Sequence, residues 1–191
     1  MLLLGLFVLI PLLIHPRGDK ISFVFIRIWV GTWAFLSGIR FEVHGKEHID
    51  LNQSYIYIFN HRSNLDAPLL PMVIPHYVRA IGKKELSKIP VFSTVVSKLA
   101  IWVDRSNPVS RHKSLEKLVV PLNQGISVVV SPEGTRNNTD QTLLPFQKGA
   151  FRLAIETQTP IMEMAVIGAD KLMKRGSILL KPGKISVYFS K

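Results

Sequence analysis

His61 and Asp66 stand five positions apart in the stretch Asn60-His61-Arg62-Ser63-Asn64-Leu65-Asp66. An imidazole beside a carboxylate is the raw material of a general base. The carboxylate accepts a hydrogen bond from one ring nitrogen, fixes the tautomer, and leaves the other nitrogen to take a proton. On a regular helix a separation of five turns the two side chains about 140° apart. The pair therefore meets only if His61 lies in a turn and the helix starts near Ser63 or Asn64, with either as N-cap and Asp66 in the first turn. The same residues also fit a capping-box-like helix start with His61 as a polar loop residue. The chain has no cysteine, which excludes an acyl-cysteine intermediate and a thiolate metal site, and it has no Gly-x-Ser-x-Gly elbow.

The elements around this stretch must position it. Tyr55-Ile56-Tyr57-Ile58-Phe59 has the β-branched and aromatic content of a buried strand, and Ala67 to Ile74 is expected to open a short helix despite its prolines. Tyr77 to Ile81 reads as a further strand. Val91 to Leu99 reads as a helix leading to the strand Ile101-Trp102-Val103, which delivers Asp104-Arg105. An arginine at a strand end offers a fork of donors to a phosphate, or pairs with a carboxylate such as Asp104. Ser110 to Val120 has helical spacing, and Ile126-Ser127-Val128-Val129-Val130 is the clearest strand. That strand delivers Pro132-Glu133-Gly134-Thr135-Arg136 to a loop. Gly134 permits positive φ, so neighbouring N–H groups can receive an anion, and Arg136 would add full charge. An ordinary polar turn fits the same composition. A helix over Ala150 to Glu156, a strand from Pro160 and a last alternating strand from Ile185 to Phe189 follow. Strand-like runs alternate with helical ones, each delivering polar residues at its end. The expectation is an α/β domain, a mixed sheet flanked by helices with a site along one edge.

Four blocks in order carry a family resemblance: Asn60-His61 with Asp66, Ile101-Trp102-Val103-Asp104-Arg105, Ser131-Pro132-Glu133-Gly134-Thr135-Arg136, and Thr159-Pro160-Ile161. With Phe146-Gln147-Lys148-Gly149-Ala150-Phe151 between the last two, the chain resembles the glycerolipid acyltransferases over roughly residues 41 to 168. The resemblance implies transfer of a fatty acyl group to the free hydroxyl of lysophosphatidic acid, giving phosphatidic acid. The donor would be acyl-CoA or an acyl-carrier protein, and no cofactor or metal is expected. It implies His61 and Asp66 as catalytic residues, and Arg105, Glu133, Gly134, Thr135, Arg136 and Lys148 as substrate-binding. Leu99, Ser131 and Glu163 depart from the family's usual glycine, aromatic residue and proline. Another lysolipid acceptor, a lipid hydrolase using the same His and Asp on water, and an inactive membrane-binding relative stay open as alternatives.

Lys and Arg outnumber Asp and Glu by 24 to 13, a net charge of +11. Such an excess favours anionic partners, and the amino terminus favours an acidic membrane surface over nucleic acid. Met1 to Ile14 is almost wholly apolar, but as a helix it would be about 21 Å long, short of a roughly 30 Å hydrocarbon core. After a polar break, Ile21 to Ile39 is a second apolar segment carrying Arg27, Trp29 and Trp33, residues suited to the headgroup boundary. The expected organisation is a membrane-embedded helical hairpin over residues 1–39, in preference to a single transmembrane anchor or two buried core helices, and a catalytic domain over 40–191, monotopic and facing the cytoplasm. His44-Gly45-Lys46-Glu47-His48 spells an inverted zinc-protease pattern. That chemistry needs both histidines on one helical face, and Gly45 after a strand-like lead-in argues for a turn.

Overall fold

The valine- and isoleucine-rich runs form the middle of one seven-stranded sheet in a computed structural model that describes residues 18–88, 99–104, 106–174, 177 and 179–191. The strands are β1 (Ile39–His44), β2 (Ile56–Phe59), β3 (Val78–Lys83), β4 (Ala100–Val103), β5 (Ser127–Val130), β6 (Ile161–Ile167) and β7 (Gly183–Phe189). Their order across the sheet is β1-β7-β6-β2-β5-β3-β4. All neighbours are parallel except β6 and β7. The mixed α/β sheet flanked by helices is therefore as the sequence predicts.

Period-two alternation along β2 explains the two-sided core. Tyr57 and Phe59 point to the face covered by α1 (Gly18–Leu36) and α2 (Asp66–Val73), where they join Phe23, Ala34, Leu69 and Val73. Ile56 and Ile58 point to the face covered by α3 (Pro108–Asn123) and α4 (Gly149–Thr157), where they meet Leu118, Leu122, Ala150 and Leu153. A short helix, α5 (Ala169–Leu172), follows β6. Asn107 caps α3, its side-chain oxygen accepting from the N–H groups of Val109 and Ser110 at 2.9 and 3.2 Å.

α1 is the second of the two apolar segments, displaced three residues toward the amino terminus from the expected span. Phe23, Val30 and Ala34 are buried in it, and Asp19 accepts from the Tyr77 hydroxyl at 2.9 Å and from Arg79 at 3.4 Å. Phe23 and Ala34 of α1 belong to the same buried cluster as the sheet. Its outward side carries Ile21, Val24, Ile28 and Phe35, all exposed. Among the described residues no helix is long and apolar enough to cross a membrane. The first arm of the expected hairpin and the expected helix over Val91 to Leu99 lie outside the described residues, save Leu99.

At the would-be zinc pattern the backbone reverses at Gly45, with φ +79°. His44 then stacks on Tyr188 while the His48 ring lies 3.1 Å from the Ser190 carbonyl oxygen, so the two imidazoles serve different contacts.

Candidate active site

β2 and β5 are hydrogen-bonded neighbours with Ile58 opposite Val130. Three residues past each partner stand His61 and Glu133, so register alone brings the two loops together at the carboxyl edge of the sheet, where α/β folds bind ligands. Asn60 fixes the corner from the other side. Its amide oxygen accepts from Val166 N at 2.7 Å and its amide nitrogen donates to Val166 O at 2.9 Å, tying the end of β2 to β6.

His61 Nδ1 lies 2.8 Å from Asp66 Oδ2, and Asp66 is 1% exposed. The same oxygen accepts the backbone N–H of Arg62 at 2.9 Å and of Ser63 at 2.8 Å. A carboxylate oxygen has only lone pairs to offer, so the proton of this contact is on Nδ1, and in the neutral imidazole Nε2 then carries the free lone pair. Among the described residues no group bonds Nε2. The imidazole is mostly enclosed, and the ring of Phe59 lies 5.6 Å away between centroids.

The local folding differs from the N-cap expectation. α2 begins at Asp66 after Leu65, with no side-chain cap from Ser63 or Asn64. The carboxylate reaches backward instead and gathers the donors of the turn before the helix, while Ser63 Oγ accepts from Leu65 N at 3.2 Å. Five residues are spanned because His61 is not helical, and a charge-assisted network of three donors holds the turn shut.

Glu133 is expected to bind substrate, but it is 3% exposed and faces inward. Its Oε1 accepts from His61 N at 3.0 Å and its Oε2 from Leu144 N at 2.9 Å. Both oxygens are occupied by main chain, so Glu133 positions the histidine backbone and the loop before α4. Asn137 N donates to His61 O at 2.7 Å, clamping the backbone of the same residue from its other side.

Gly134 takes φ +70°, as the anion-loop reading requires, and its N–H closes a turn onto Ser131 O at 3.0 Å. Thr135 and Gly134 are exposed. Arg136 leans back toward the first loop, its Nη1 donating to Asn64 Oδ1 and its Nε to Asn138 Oδ1 at 3.2 Å. The guanidinium thereby sits over the segment that carries the His–Asp pair. Lys148 is exposed at the start of α4. Arg105 lies outside the described residues. Its neighbour Asp104 accepts from the Ser106 hydroxyl at 2.5 Å and the Ser106 N–H at 3.1 Å, and the hydroxyl bond, ahead of the N–H, holds its carboxyl below the usual range.

Arg62, Asn60 and Asn137 hold the corner in place, though motif reasoning assigns them no role. Arg62 Nη1 donates to Gln141 O at 2.6 Å, and Nε to Asp170 Oδ2 at 3.3 Å, joining the His61 turn to the 137–142 loop and to α5. An arginine inside a polar motif is the sequence signal, but its partners are 79 and 108 residues away. Among the described residues no cluster of His, Asp and Glu is arranged to hold a metal ion.

The family model described as Acyltransferase matches residues 40–167. The 1-acyl-sn-glycerol-3-phosphate acyltransferase of Limnanthes alba is 34% identical over 162 residues, covering 83% of this chain and 56% of the relative. The alpha enzyme of that name from Homo sapiens is 34% identical over 158 residues, covering 78% of this chain and 54% of its own length. The chain spans about half the length of the curated relatives it matches. The crystal structure of the 1-acyl-sn-glycerophosphate acyltransferase PlsC from Thermotoga maritima superposes with a TM-score of 0.83 at 25% identity, covering 98% of this chain and 76% of that one.

Proposed function

The chain belongs to the Acyltransferase family, and from that premise we propose that it acylates lysophosphatidic acid to phosphatidic acid, drawing the acyl group from acyl-CoA or an acyl-carrier protein. The observation that carries the reading is the His61 Nδ1 to Asp66 Oδ2 contact of 2.8 Å with Nε2 open. Nε2 removes the proton of the acceptor's free hydroxyl as that oxygen attacks the thioester carbonyl. The C–O bond forms, the tetrahedral intermediate collapses, the C–S bond breaks, and the leaving thiolate takes the proton back from His61. Asp66 holds the imidazole through the imidazolium stage. A thioester is already activated, so a direct transfer needs neither a covalent acyl-enzyme nor a metal.

Arg136 and the Gly134 loop hold the acceptor phosphate in this scheme, with Thr135, Lys148 and Arg105 as further substrate contacts. Phosphate exchanges for the neutral Asn64 and Asn138 oxygens on the guanidinium, a stronger charge-assisted partner. Arg136→Ala should weaken use of lysophosphatidate by about one to two decades in kcat/KM, the equivalent of roughly 1.5–3 kcal/mol for one such bond. Arg136→Lys recovers only part, because an ammonium keeps the charge without the planar fork. The check is transfer to lysophosphatidate and to a phosphate-free lysolipid in all three proteins. A uniform loss across both acceptors would move Arg136 out of the phosphate site.

The enzyme works as a monotopic membrane protein, its catalytic domain on the cytoplasmic side and the outward apolar face of α1 laid against one leaflet. Support comes from the apolar outward stripe of α1, on which Phe35 is 82% exposed, and from the apolar character of Met1 to Ile14. Lys and Arg in excess would add attraction to acidic headgroups. Since α1 also feeds the core, point changes test this better than truncation. Ile28→Glu with Phe35→Glu should lower co-sedimentation with anionic vesicles by about tenfold or more, since each buried apolar side chain contributes about 1.5–3 kcal/mol. Unchanged vesicle binding in the folded double variant would remove α1 from the membrane face.

A further inference from the structure

A cavity of about 400 Å³ adjoins the His61 turn, lined by Arg62 but not by His61 itself. That volume is within the range of small-molecule sites. Part of its lining is already fixed. Arg62 donates to Thr139 O at 3.4 Å, to Gln141 O at 2.6 Å and to Asp170 Oδ2 at 3.3 Å. Asn137, 3% exposed, accepts from Thr139 N and Thr139 Oγ1 at 2.9 and 2.8 Å and donates to Gln141 O at 2.8 Å. The remaining charges that line the cavity are Asp140 in the loop and Lys174 after α5, both exposed. Among the described residues neither makes an ion pair. Lys171, the next charge along α5, is exposed and does not line the cavity. With Arg62 and Asp170 paired to each other, one carboxylate and one ammonium are left to meet a ligand.

We propose that this cavity takes the headgroup of a further class of acceptor, a lysophospholipid whose phosphate carries a hydroxylated headgroup such as glycerol. The inference rests on the acyl-transfer reading above and extends its acceptor. In that scheme the phosphate displaces Asn64 and Asn138 from the Arg136 guanidinium. Asn138 also lines the cavity. A phosphate in its place therefore stands at the rim, and a group esterified to that phosphate, on the side away from the reacting hydroxyl, has the cavity to enter. Lysophosphatidate, a bare monoester, leaves it empty.

The balance of charge selects the hydroxyl. A hydroxyl both donates and accepts, so one small headgroup can donate to Asp140 and accept from Lys174. An ammonium headgroup would gain Asp140 but meet Lys174 like against like, and a second anionic group would reverse the conflict. A quaternary ammonium is recognised on aromatic faces, and no aromatic residue lines this cavity. A divalent cation would face Arg62 and Lys174, and among the described residues no group of His, Asp and Glu is arranged to hold one.

The experiment measures transfer from palmitoyl-CoA to lysophosphatidate, lysophosphatidylglycerol and lysophosphatidylethanolamine by the full chain, as wild type, Asp140→Ala and Lys174→Ala. Both positions are exposed, so the folds should match. Wild type is expected to acylate the glycerol-bearing acceptor ahead of the ethanolamine-bearing one. Each variant should lose about tenfold in kcat/KM for lysophosphatidylglycerol, the loss of one charge-assisted hydrogen bond, with kcat/KM for lysophosphatidate and KM for palmitoyl-CoA within about twofold. Ligand-observed NMR with water-soluble glycerophosphoglycerol reads the same site without turnover, and its binding should weaken in both variants. A wild type that acylates lysophosphatidate but not lysophosphatidylglycerol would overturn the proposal, as would equal losses on the two acceptors, no loss on either, or equal use of the ethanolamine acceptor. A rise in KM for palmitoyl-CoA alone would give the cavity to the donor and overturn it as well. If wild type transfers to no acceptor while glycerophosphoglycerol still binds through Asp140 and Lys174, the acyl-transfer reading fails and the headgroup site stands; without that binding both fail.

Discussion

Replacing His61 with alanine is expected to lower acyl transfer to lysophosphatidate by about 10²–10⁴, the usual contribution of a positioned general base. The reason is specific to the arrangement of this corner. Nε2 is the only ring nitrogen available, because Nδ1 is committed to Asp66 at 2.8 Å. The imidazole, though mostly enclosed, is not part of either buried apolar cluster, so the variant should fold and bind vesicles as wild type does. The His61 N–H and carbonyl bonds to Glu133 and Asn137 are main-chain and survive the change. The assay is thioester consumption with and without the acceptor at matched protein on vesicles. Near-normal turnover by the variant would remove His61 from catalysis, and consumption without acceptor in the wild type would favour hydrolysis over transfer.

Asp66 should give the second large effect, and its two substitutions separate two roles. In Asp66→Asn the amide oxygen is best placed where three donors converge, on the His61 ring and on Arg62 N and Ser63 N. The tautomer is then retained and only the charge is lost. The imidazolium formed during transfer loses its charged partner, a deficit of about 1.5–3 kcal/mol, which is roughly one to two decades in kcat. Asp66→Ala leaves the Arg62 and Ser63 N–H groups without acceptors in a turn where Ser63 is 3% exposed. Each orphaned donor costs about 1–3 kcal/mol. At about 2–4 °C per kcal/mol for a chain of this size, the Tm should fall by several degrees beyond that of Asp66→Asn. Thermal melts and kcat at saturating lysophosphatidate read the two effects separately. Because the pair acts as a unit, adding Asp66→Asn to His61→Ala should lower activity little further. Additive losses would mean that Asp66 serves catalysis by a route other than His61.

Much of what depended on neighbours in the chain was legible in the sequence, the cap of α2 being the exception. The runs Tyr55 to Phe59 and Ile126 to Val130 could be assigned as buried strands because a strand covered on both faces is apolar at every position, and β2 and β5 are buried throughout. Gly134 announced its positive φ, since that region is open chiefly to a residue without Cβ. His61 and Asp66 were legible as a pair for the same reason: one short turn joins them.

The tertiary structure decided where each carboxylate points and which face each helix turns to solvent. Glu133 sits in a polar motif like any substrate ligand, yet the pairing of β2 with β5 delivers it under the His61 peptide, where two N–H groups claim it. Asp66 was expected inside a capped helix, but the turn before the helix offered it more donors than a cap would have used. Arg62 finds Gln141 and Asp170 only after strand pairing has closed loops of 79 and 108 residues. α1 reads as an anchor because it is largely apolar, with Arg27, Trp29 and Trp33 suited to a headgroup boundary. Whether an apolar side chain meets lipid or core depends on what packs against it, and here the sheet claims Phe23, Val30 and Ala34 while Ile28 and Phe35 are left outward. Composition fixes how much apolar surface must be covered; only the packing of distant elements fixes what covers it.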